Sequence, residues 1–320
     1  MAQLGKKPQD EASHRRSQSV TSCVESVKGR SKRTDEANGK STQRFDYQLL
    51  LVAAKEVDPH LAFNKYILHG YRHKLTPMQC ILSVFQIHNE TGNIWTHMLP
   101  IAFFVSHLVL HGPWQHAPLF YLAATVPCVL CLTCSSIYHT FMPLSSGEKT
   151  YSTLLFIDYL SVFNVMVWPE VVSIYWSFYC DPSVKLFMFV VYFSITVLCL
   201  GLALRARTVK ERLLPFGIQS LARGISLIFR MTLGYASKEA TLLYLATEFL
   251  GIAGGMINAM RAPESIFPGM FDTWLNSHQI MHILTAMAQF CVFYACQTDY
   301  EYWQRTSCLD VKRWKVLEFL

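Results

Sequence analysis

Two imidazoles, His278 and His282, stand four residues apart in the apolar run NSHQIMHI (276–283). On a helix that spacing puts both rings on one face, about one turn apart. Such a pair is either half of a metal site or two packing residues with satisfied hydrogen bonds, and a third ligand decides between them. His139, which ends the run SSIYH, and Asp158, within IDY, are the groups elsewhere in the chain that can join it. Ser135 lies one turn before His139 on the same face. Three neutral imidazoles with one open position are a recurring catalytic zinc set. A second pair with the same spacing, His107 and His111 in SHLVLHG, is followed by His116 and has no carboxylate of another segment clearly joining it. The cysteines Cys128, Cys131 and Cys134 of CVLCLTC do not converge on one point, and they read as small packing residues.

The elements that must position these residues are set by hydropathy. Charged residues are 16% of the 320-residue chain, well below the ~25% of soluble domains. Residues 1–46 are basic and polar with almost no large apolar side chains, the pattern of a disordered cytosolic tail and not of a signal peptide. Residues 47–92 form a juxtamembrane segment, in which TPMQCILSVFQIHNE starts a short helix at Thr76 and Pro77. Its apolar stripe of Met78, Ile81, Leu82 and Phe85 suits a membrane surface. Seven apolar blocks follow within 93–297, at 93–111, 118–139, 152–174, 186–204, 213–234, 240–260 and 275–297, with 298–320 as a short C-terminal tail. The fold class expected is an all-α seven-transmembrane bundle.

Basic residues orient this bundle. They crowd the N-terminal tail and the break RARTVKER (205–212), while the break GPWQHAP between the first two blocks has none. The positive-inside rule therefore puts the N-terminus in the cytosol and, after seven crossings, the C-terminus outside. Lys312, Arg313 and Lys315 in the C-terminal tail run against this trend. In that orientation His139, Asp158, His278 and His282 all fall at the cytosolic end of their spans. Buried ionisable groups at one depth are costly unless paired or metal-bound. His88 and His97, nine residues apart in HNETGNIWTH, lie on opposite helix faces and read as hydrogen-bonding groups at the membrane surface. Arg223–Glu248 and Arg230–Glu170 are proposed as ion pairs, or as members of one network, the alternative for Arg230 and Glu170 being that they simply reach the headgroups. A bond from Cys180 to Cys296 or Cys308 at the outer face is the minority alternative to free thiols, which membrane receptors often keep there.

HNETGNIWTH (88–97), SSIYH ending at His139, IDY (157–159) and FPGMFDTWLNSHQIMH (267–282) together resemble the progestin and adipoQ receptor family, over about residues 66–297. The resemblance implies seven helices with a cytosolic N-terminus. It implies Zn2+ held by His139, His278 and His282, with Asp158 and Ser135 as catalytic residues near the zinc-bound water. NETGNIWTH and FPGMFDTWLNSHQI look like the adiponectin receptors, whereas HGYR (69–72) and LIFRM (227–231) look like the membrane progestin receptors. Expected partners are a lipophilic ligand (a steroid or ceramide-like lipid) or an adiponectin-like protein, with membrane lipid and a cytosolic signalling partner, and no nucleic acid. Three functions stay open: a receptor at the plasma membrane, a zinc-dependent lipid amide hydrolase of ceramidase type, and a membrane adaptor without a small ligand.

Overall fold

A computed structural model describes residues 49–111, 118–206 and 208–311, with the side chains of Pro118, Val209 and Lys210 excepted. The basic tail, His116, Arg207 and the C-terminal lysines and arginine at 312–315 lie outside the described residues. Among the described residues eight α-helices follow one another before a short helical stretch at 308–311: α1 Pro77–Ser83, α2 Thr91–His111, α3 Pro118–Phe141, α4 Glu148–Ser177, α5 Pro182–Arg205, α6 Val209–Thr232, α7 Lys238–Met260 and α8 Ser277–Arg305. Extended pairing among the described residues is limited to two isolated bridges, Val52 with Tyr71 and Leu75 with Leu144.

Helices α2 to α8 coincide with the seven apolar blocks, and six of them are long and apolar enough to cross a membrane. The exception is α6, which the block pattern predicts to be as apolar as the others. It buries Gln219, Arg223 and Arg230 against its neighbours while exposing Leu213, Leu214, Leu221, Ile225 and Ile228. This is a soluble helix turned inside out: its polar face is satisfied by partner helices, so composition alone understates its fit to lipid. The outer surface of α5 follows the same rule, with Leu186, Phe187 and Val197 all more than 60% exposed. An apolar belt of this kind would aggregate in water and marks a membrane-facing surface.

The interior is tied by ion pairs that refine one sequence expectation. Arg223 Nη2 lies 2.5 Å from Glu248 Oε1, as expected, with Glu170 Oε2 at 3.9 Å from its Nε. Arg230, however, does not pair with Glu170. It grips Asp299 through two hydrogen bonds of 2.7 and 2.8 Å, and also donates to Ser177 Oγ and Thr241 Oγ1. Asp299 falls just beyond the last apolar block, but α8 runs on to Arg305 and buries it completely. Cys180, in the turn after α4, is bonded to Cys308, in a helical stretch at 308–311 after α8. Cys296 is a free buried thiol beside the Tyr244 hydroxyl.

Two N-caps place the elements that matter here. Thr76 and Gln79 exchange side-chain-to-backbone bonds at the start of α1, whose Met78, Ile81 and Leu82 are exposed as the amphipathic pattern predicts. The Asn276 side chain accepts from the Gln279 N–H at the start of α8, so His278 and His282 fall in its first two turns. The segment before α1 packs Val57, Leu61, Ile67 and Tyr71 on Tyr138, Met142 and Tyr151. From this segment Arg72 donates to the backbone carbonyls of His139 (2.5 Å) and Thr140 (3.1 Å) and fixes the end of α3.

Candidate metal centre

The end of α3 and the first two turns of α8 meet at one end of the bundle. There His139, His278 and His282 each offer a ring nitrogen, and the three nitrogens lie within 4.8 Å of one another. Among the described residues these three form the one group of histidine, cysteine and carboxylate side chains close enough to hold an ion. His139 and His282 are buried, and all three rings are neighbours, with centroids 4.7 to 5.3 Å apart.

The second nitrogen of each ring is anchored. His139 Nδ1 is 2.8 Å from Glu90 Oε2, His282 Nδ1 is 3.2 Å from the Asn93 carbonyl, and His278 Nδ1 is 3.3 Å from Asn258 Oδ1. Ionised carboxylates and carbonyls only accept, so each Nδ1 carries the hydrogen and each Nε2 keeps its lone pair. His139 Nε2 is buried with no hydrogen-bond partner among the described residues. A buried acceptor left without a donor is costly, and an ion at the shared point removes that cost. Three neutral nitrogen donors, each oriented by an outer acceptor, fit zinc.

Asp158 lies in α4, outside this ligand group, with its Oδ1 buried and without a partner among the described residues. Ser135 is buried one turn before His139 on α3. The other histidine pair stays apart from this chemistry: the His107 ring is bonded to the Tyr121 hydroxyl, and its centroid lies 5.0 Å from that of His111.

His88 and His97 are not surface groups. His88 is fully buried, accepting from the Glu90 N–H (3.1 Å) and donating to the Ser83 carbonyl (3.1 Å). His97 is buried and stacks on His282 with ring centroids 3.9 Å apart. Nine residues along a helix do separate the two rings, but the segment bends into α2 only at Thr91, so the helical-face argument does not apply to His88. Glu90, Asn93, His97 and Asn258 are the site residues that sequence reasoning missed. A carboxylate and an amide in the polar motif HNETGNIWTH, where it runs into the first apolar span, were a signal for Glu90 and Asn93. Asn258, near the end of α7, had none.

A bundle of long helices with an apolar belt and an internal three-histidine cluster defines a class: an α-helical integral membrane protein with a potential metal centre. Residues 85–293 match the family profile described as Haemolysin-III related. Progestin and adipoQ receptor family member 4 of mouse and of human are each 35% identical over 231 residues, 71% of this chain and 85% of theirs. The adiponectin receptor protein of Drosophila melanogaster is 30% identical over 260 residues, 74% of this chain and 56% of its own length. The chain belongs to the haemolysin-III-related family, within its progestin and adipoQ receptors.

Proposed function

We propose that the protein is a plasma-membrane receptor with a zinc site near its cytosolic face, answering a lipophilic or adiponectin-like ligand, with lipid amide hydrolysis as its working chemistry. The observation that carries this reading is the convergence of three outward-anchored imidazoles on one buried point. Zinc bound there would supply Lewis acidity and bring the pKa of a water to about 7. Asp158 is the candidate to accept a proton from that water, since its Oδ1 is a buried acceptor with nothing to accept. The Ser135 hydroxyl, one turn below His139, is available to hold a substrate oxygen. A ceramide-like lipid amide matches a site reached through an apolar bundle.

The orientation has independent support. The bonded pair Cys180–Cys308 lies after the C-terminal ends of α4 and α8, whereas the histidines lie at the start of α8. A disulfide belongs to an oxidising compartment, which favours a cytosolic histidine end. The zinc could also act as a staple between α3 and α8, with the receptor signalling by helix packing alone. Metal analysis of the purified protein, with ceramide turnover by wild type and Asp158→Asn, separates these. Zinc-bound Asp158→Asn that turns over ceramide about 10²–10⁴-fold more slowly supports hydrolysis. Zinc-replete wild type that hydrolyses no lipid amide leaves only the staple, and protein that never takes up zinc defeats both.

A further inference from the structure

We infer that Glu90 is the positioning residue of the metal centre: it fixes the ring orientation and tautomer of His139 and sets how tightly the centre holds its ion. The inference rests on the zinc reading for the affinity, though not for the tautomer. Glu90 stands immediately before α2 and is buried, so its carboxylate needs built partners. It has them. Its Oε2 accepts from His139 Nδ1 at 2.8 Å and from Asn93 Nδ2 at 2.6 Å. Its backbone N–H is held by His88, which is locked in turn by the Ser83 carbonyl and, through its own N–H, by Thr91 Oγ1 at 2.8 Å. The start of α2 also favours negative charge, because the helix dipole ends there.

His139 is held at both ends by this arrangement. Arg72 grips its backbone carbonyl, and Glu90 grips its ring. Donating its Nδ1–H to Glu90 leaves His139 with a free lone pair on Nε2 and makes that nitrogen a stronger ligand, the usual effect of a carboxylate behind a ligating histidine. Asn93 acts on two ligands at once. Its side chain steadies Glu90 while its carbonyl orients His282, and His97 one turn on covers the His282 ring. The first two turns of α2 thus form an outer layer for ligands that come from α3 and α8.

A plain packing role for Glu90 would give the same hydrogen bond, so the test needs readouts that packing does not move. Glu90→Gln keeps the shape and an acceptor but removes the charge, and Glu90→Leu removes both. Zinc affinity by chelator competition is expected to fall about 10–100-fold, further for Leu than for Gln. The melting temperature of metal-free Glu90→Gln is expected to match that of the wild type. In metal-free wild type, ¹⁵N spectra of labelled histidine should show His139 protonated at Nδ1, a preference lost in Glu90→Leu. Unchanged zinc affinity in Glu90→Gln, an affinity loss that only tracks a lower metal-free melting temperature, or an Nε2-protonated His139 overturns the inference. Wild-type protein that takes up no zinc instead defeats the proposed function, and the His139 tautomer then still upholds or overturns the assignment of Glu90.

Discussion

His88 is a buried imidazole whose protonation state is dictated by its neighbours. The Glu90 N–H donates to its Nδ1, so that nitrogen must carry a lone pair, and its Nε2–H donates to the Ser83 carbonyl. Burial, aided by the Arg72 charge, pushes its pKa down to about 3. The folded value lies below the unfolded one, so the stability it contributes is present above about pH 6.5 and is lost as pH falls. Below that point the loss approaches about 1.4 kcal/mol per pH unit for this one group. His88→Asn should therefore melt lower than wild type at pH 8, with the gap narrowing toward pH 5, as measured in metal-free protein. An unchanged gap would remove His88 as an acid-sensitive support. The same residue shows what a sequence hides. His139, His278 and His282 were legible because topology alone put them at one depth. Glu90 was not, because its bond to His139 joins positions 49 residues apart across two helices, and no local spacing encodes it.

The approach of α2 to α8 depends on one missing side chain. A Cβ built on Gly92 would sit 2.5 Å from Gln279 Cδ. That carboxamide has no freedom to retreat, since it donates to the Asn89 and Thr273 carbonyls and accepts from the Leu275 N–H. Gly92→Ala should destabilise the protein by about 1–3 kcal/mol through overpacking, and should weaken zinc binding by shifting Glu90 and Asn93 away from their histidines. Thermal melting and chelator competition check both effects, and a variant with wild-type values in each would show that the two helices can part harmlessly. Helix number and order could be read from apolar blocks because lipid demands about twenty apolar residues per crossing. The end of α8 could not. Its last turns carry Asp299, which looks like a tail residue until Arg230 of α6 is found waiting for it. The block pattern includes α6 as a span but does not show how its charges are carried: Arg223 and Arg230 are neutralised by carboxylates on α7 and α8 that only the folded bundle supplies.

Among the described residues the two ends of the bundle differ in chemistry, one holding the three-histidine cluster and the other a disulfide. A glycosylation acceptor placed near Lys312 should be modified in cells, and one near Arg207 should not; the reverse result would put the histidines on the outer side. Cys180→Ser with Cys308→Ser should melt lower than wild type by an amount worth about 2–4 kcal/mol, because the bond closes a loop of 128 residues. Reduction of the wild type should reproduce that shift, and reduction of the double variant should add nothing. The tether also bears on α8 as a mechanical part. At ~1.5 Å per residue this helix is a rod about 43 Å long, reaching from the histidines to the disulfide-bound segment. Over some 40 Å of that rod, one degree of tilt at the disulfide end displaces the histidine end by about 0.7 Å, against the ~0.2 Å that a metal tolerates in its bond lengths. A lever of this length would turn a shift at the disulfide end too small to change the fold into a displacement at the three histidines larger than that tolerance.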